Sequence, residues 1–100
     1  MIIRRWQAPV TPDIKQIRQM FFLEGLKPSE EILEDGQATN ERRFPFDEVR
    51  IMVEGELILD IAGNKVLLKE GDRVMIPSNT KHTLKCHSAP ARSLYASKII

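Results

Sequence analysis

The stretch Val49-Arg50-Ile51-Met52-Val53-Glu54-Gly55-Glu56-Leu57-Ile58-Leu59-Asp60-Ile61, continued by Ala62-Gly63-Asn64 and closed by Gly71-Asp72-Arg73-Val74-Met75-Ile76-Pro77, decides the fold. Leu57, Leu59 and Ile61 share one strand face, because side chains alternate sides with period two. Val49, Ile51 and Val53 form an apolar row in the preceding segment, and Gly55 is read as its end. Gly63-Asn64 is a hairpin signal, with Val66 to Leu68 as the returning strand. Val74-Met75-Ile76 stops at Pro77, which cannot donate to a ladder.

Outward from this centre the same rhythm holds. Glu30 to Glu34 is a candidate strand before an Asp35-Gly36 turn. His82 to Cys86 and Leu94 to Ile99 are read as the last two strands. Short strands with frequent turns predict an all-β sandwich or barrel. The N-terminus differs. Met1 to Arg5 suits a short edge strand. Thr11-Pro12-Asp13 reads as a helix start, with Ile14, Ile17 and Phe21 at helical spacing and Gly25 at the C-terminal cap. The spacing predicts one helix over about residues 12–24.

Composition narrows the function classes. The 100 residues suffice for one domain, and 42% hydrophobic with 29% charged residues is an ordinary globular balance. A net charge of +1 gives no nucleic-acid footprint. The single cysteine, Cys86, excludes an internal disulfide. No stretch approaches the about 20 apolar residues of a membrane span, nor is there a signal-peptide core, so the expected location is cytoplasmic. Phosphate loops, Cys-x-x-Cys pairs and serine elbows are missing.

Two segments resemble the paired signature of the cupin superfamily. Gly36, Arg42, Phe44, Glu48 and Gly55 fall at the intervals of the first motif. Gly71, Pro77, Asn79, His82 and Cys86 fall at those of the second. The resemblance implies an antiparallel cupin-type β-barrel (a double-stranded β-helix or jelly roll) over residues 30–98, preceded by an N-terminal strand and helix in residues 1–28, as one domain. It also implies a metal position whose four ligands would be Arg42, Phe44, Glu48 and His82. Only Glu48 and His82 can ligate. Phenylalanine has no donor, and arginine stays a cation. The chain holds two histidines, His82 and His87, so it cannot supply a three-histidine site.

Three functions are open at this point. The first is a metal-free barrel binding a small molecule, with a pocket of Arg42, Phe44, Phe46, Glu48, Arg50 and His82. Arg50 shares a face with Glu48, so a guanidinium can stand where the metal would be, with spare donors for an anionic ligand. The second is an enzyme of oxygenase or isomerase type. It would hold one divalent ion (Zn, Fe, Mn or Ni) on Glu48, His82 and Cys86, with Glu41 a further oxygen donor. The third is an interaction module whose barrel is filled by side chains such as Phe44, Phe46 and Met52. The row Val49, Ile51 and Val53 needs cover from a helix or a second copy. The expectation is a homodimer in which Met1 to Arg5 adds an edge strand to the neighbour.

Overall fold

The computed structural model describes residues 1–98. Its elements are β1 (Ile2–Arg4), α1 (Ile14–Leu23), β2 (Ser29–Leu33), β3 (Asp47–Ile61), β4 (Asn64–Leu68), β5 (Arg73–Ile76) and β6 (Thr83–Lys98). All pairings between them are antiparallel, in the order β1-β5-β3-β6-β2, with β4 also on β3.

Two long strands organise the molecule. The segments expected as separate strands on either side of Gly55 form one strand, β3, and those expected at 82–86 and 94–99 form one strand, β6. Residue 99 lies outside the described residues. The β3–β6 register shifts between Met52 and Leu57, where the ladder is irregular. Gly55 therefore bends the strand rather than ending it. Its φ is +71°, and a Cβ there would lie 2.3 Å from the carbonyl oxygens of both Ser88 and Pro90. Only glycine fits so close a crossing. His87 is an exposed residue of β6.

The bend makes two arms that enclose one core. On one arm the first half of β3 pairs with β5 and the second half of β6, which carries β2. On the other, Leu57 to Ile61 pair with β4 and with Thr83 to Cys86. The interior cluster draws Met52, Val74, Ile76, Ala91 and Leu33 from the first arm and Leu57, Leu59, Leu68, Leu84 and Cys86 from the second. The alternating rows of the sequence thus bury inward from both sides. The β3–β4 hairpin turns at Ala62-Gly63, both with positive φ, one residue earlier than the sequence suggested.

The helix explains the other apolar row. Val49 and Ile51, with Leu94 and Ala96 of β6, pack under Ile17 and Phe21 of α1. The chain's own helix is therefore the cover that the row needs. Ile2–Arg4 pairs with β5 of the same chain and forms one edge of the sheet. The helix starts later than expected. Asp13, not Thr11, is the N-cap, in a reciprocal capping box with Gln16. Gly25, with φ +72°, closes it, and the N–H groups of Gly25 and Leu26 reach the carbonyls of Phe22 and Phe21. A two-point contact between Arg73 and Glu24 ties its end to β5.

Candidate functional site

Beyond Met52, the inward row of the first arm turns polar. Glu48 and Arg50 on β3 are 1% and 0% exposed. Arg50 Nε donates to Glu48 Oε2 at 3.2 Å, and Nη1 donates to Ser93 Oγ at 2.6 Å. Nη1 also lies 3.0 Å from Glu31 Oε1 of β2. The guanidinium sits 4.6 Å from the Tyr95 ring centroid, a cation–π arrangement. The register puts these groups together: Tyr95 pairs with Arg50, and Ser93 with both Met52 and Glu31.

A second guanidinium closes the cluster from the facing arm. Arg42 is held by its backbone against His82, through N–H···O contacts of 2.8 and 2.9 Å. Its side chain reaches across to Glu31, with Nη1 to Oε1 at 3.1 Å and Nη2 to Oε2 at 2.5 Å. Burial pushes the Glu31 carboxyl up, but the Arg42 hydrogen bonds and the charges of Arg50 and Arg42 outweigh it. The net result lies below the ordinary carboxylate range. The Arg42 guanidinium is raised by the same Glu31 contact. Two cations and two carboxylates therefore neutralise each other inside the barrel mouth.

His82 and the phenylalanines line the other side of this mouth. His82 is 2% exposed, with Nδ1 2.9 Å from Thr80 O. A carbonyl only accepts, so Nδ1 carries a hydrogen and donates it to Thr80 O. The Phe44 ring meets His82 edge-on at 6.0 Å and stacks on Phe46 at 5.1 Å. His82 also lines a rim cleft of about 580 Å³ with Glu41, Asn79 and Lys81. A larger cleft, about 730 Å³, lies outside, against Arg5, Trp6 and Asp72. The polar centre of that cleft is occupied within the chain, because Asp72 accepts from Arg5, Trp6 N–H and Lys69 N–H.

Among the described residues four buried side-chain atoms have no hydrogen-bond partner: Arg92 Nε, which still lies 3.0 Å from Glu30, and Glu48 Oε1, Arg50 Nη2 and His82 Nε2. An unpaired buried polar group costs about 1–3 kcal/mol.

Sequence reasoning named Arg42, Phe44, Phe46, Glu48, Arg50 and His82; in the structure Glu48 bonds Arg50, Arg42 pairs with His82, and Phe44 meets both His82 and Phe46. It missed Glu31, Ser93 and Tyr95. The signal for the latter two was alternation in β6, where Ser93 keeps the phase of buried Ala91 while Leu94 and Ala96 turn to α1. Glu31 shares the phase of buried Leu33 in β2.

A bent pair of antiparallel arms around a filled core, with a buried polar cluster at one end, defines a jelly-roll architecture. A family model for the cupin domain matches residues 29–96, and the chain belongs to the cupin family. Solved structures agree on the fold. A cupin superfamily protein from Desulfitobacterium hafniense superposes with a TM-score of 0.68 at 20% identity, over 75% of this chain and 68% of its own. An RmlC-like cupin from Shewanella frigidimarina gives 0.64 at 20%, over 74% and 67%. A salicylate 1,2-dioxygenase from Pseudaminobacter salicylatoxidans gives 0.67 at 22%, over 72% of this chain but 20% of the enzyme. No curated protein matches the chain.

The residues at the family's metal position do not fit a divalent ion. Arg42 and Phe44 replace two donors, and Glu48 faces the fixed charge of Arg50. Among the described residues, no three His, Cys, Asp or Glu side chains are grouped to hold a metal. Glu48, His82 and Cys86 do not form such a group. Cys86 belongs to the apolar core, and burial pushes its thiol up, away from the thiolate a metal needs. Glu41 is exposed on the rim, 4.0 Å from Lys81.

Proposed function

We propose that this chain is a metal-free cupin that binds a small polar molecule inside the mouth of its barrel. The observation that carries the reading is the buried Glu48–Arg50 pair, which leaves Oε1 and Nη2 without partners. A fixed guanidinium takes the electrostatic place of a metal ion beside the family glutamate. The Phe44–Phe46 stack gives the pocket an apolar wall, and the matched charges around Arg50 give it a rigid polar floor. Binding of this kind suits a sensing or accessory role, and the family also includes enzymes, so the reading is about the ligand and not about turnover.

The competing reading is a barrel filled by its own side chains. Buried Met52 and the ten-residue apolar cluster favour it at the bend, whereas the unpartnered atoms at the mouth favour a ligand. A fragment titration followed by ¹⁵N NMR separates them. The ligand reading expects shifts centred on Glu48, Arg50, Ser93 and His82. A library that moves none of these amides would leave the filled-barrel module standing.

A further inference from the structure

The free atoms of the Glu48–Arg50 pair also specify the chemistry of what binds, given the reading of the barrel mouth as a ligand site. A guanidinium and a carboxylate can meet at two points, through the parallel N–H groups of Nε and Nη2. Here only one contact is made, from Nε to Oε2. Nη2 and Oε1, one on each partner, are left as an unpaired donor and an unpaired acceptor, both buried. His82 Nε2, on the ring whose Nδ1 lies 2.9 Å from Thr80 O, is a further unpartnered buried atom.

The charge balance then decides between ligand classes. The sequence alone suggested spare guanidinium donors for an anion. In the structure Glu31 holds Arg42 at two points and lies 3.0 Å from Arg50, while Glu48 takes Arg50 Nε. A carboxylate or phosphate entering at Nη2 would meet the free Glu48 oxygen beside it, at short range and out of water, where repulsion is least screened. A group that donates and accepts through adjacent atoms meets no such penalty.

We infer that the barrel mouth selects a neutral ligand carrying an N–H and a C=O on one edge, as in a primary carboxamide, a urea or a lactam. Its carbonyl accepts from Arg50 Nη2, and its N–H donates to Glu48 Oε1. Both buried orphans are then satisfied at once, and the one-point contact becomes a closed ring of hydrogen bonds through the ligand.

Matched pairs test this on the tag-free wild-type protein: benzamide against benzoate and propionamide against propionate, with 2-pyrrolidinone and urea as further neutral probes. Affinities come from NMR titration. The inference expects the amide of each pair to bind at least about tenfold more tightly than its acid. It also expects Glu48→Gln, checked for folding by its ¹⁵N spectrum, to narrow or invert that ratio. Acids binding as tightly as amides in the wild type would overturn the ligand class and leave the ligand site intact. Amide-induced shifts confined to Trp6 and Lys69 of the outer cleft would overturn the placement. No binding by any probe up to its solubility limit would overturn the ligand site itself, and this inference with it.

Discussion

Arg50 and Glu48 stand two residues apart on the inward face of β3, joined by a 3.2 Å hydrogen bond, with 0% and 1% of their surfaces exposed. A pair this deeply buried is held by mutual neutralisation, since each ion alone would carry a large desolvation cost. Arg50→Met should therefore destabilise the protein by about 3–5 kcal/mol, by stranding Glu48. The double variant Arg50→Met/Glu48→Leu should lose much less than the two single losses added. Urea unfolding of all four proteins checks this. A single-variant cost below about 1 kcal/mol would mean that water reaches the pair.

Glu31 links the two guanidiniums and gives the fold an acid dependence. Its carboxyl lies below the ordinary value of 4.5 in the folded chain. Such a group contributes stability above that value, and the contribution is lost as pH falls through the folded pKa. Unfolding midpoints measured from about pH 6 down to about pH 3 should fall in the acid range, and less steeply in Glu31→Gln. Glu24, held low by Arg73, should leave a residual slope in that variant. Identical slopes with and without Glu31 would contradict this account of the cluster.

The bend at Gly55 is set by close approach as well as by its φ of +71°. Gly55→Ala should cost about 3 kcal/mol or more, because backbone oxygens on β6 cannot move aside without breaking the ladder. Gly36→Ala, at φ +77° in open space, carries only the conformational penalty, about 1 kcal/mol. Thermal melts of the two variants should rank them in that order, and equal melting points would show that the crossing relaxes.

Phe21 and Phe22 separate packing from exposure on one helix. Phe21, on the sheet-facing side of α1, is 0% exposed and Phe22 is 74% exposed. Phe21→Ala should cost about 3–5 kcal/mol, and Phe22→Ala at most about 0.5. Asp13→Ala, which removes the N-cap, should cost about 1 kcal/mol. A large loss at Phe22 would reveal a partner on that face.

Much of this architecture is legible in local pattern. The inward rows of β3 follow from alternation, and Glu48 with Arg50 follow from their shared phase. Phe44 beside His82 is what the resemblance to the cupin motifs implies. What eluded the sequence is non-local. Glu31 joins the site only because β2 pairs with β6, and Ser93 only because its ladder partners are Met52 and Glu31. Gly55 looked like a strand end because a turn and a bend both favour positive φ; only the carbonyls of Ser88 and Pro90 distinguish them. The row Val49, Ile51 and Val53 pointed to a missing cover, but periodicity does not say which element supplies it. The two-residue error at the helix start arose because Thr11 and Asp13 are both good caps, and Gln16 completes a capping box with Asp13.

The central claim is that a guanidinium takes the place of a metal ion in this cupin. Elemental mass spectrometry of tag-free protein, beside His82→Ala, tests it most directly. The account predicts zinc, iron, manganese and nickel far below one equivalent in both proteins. One equivalent of any of them in the wild type, lost in His82→Ala, would contradict it.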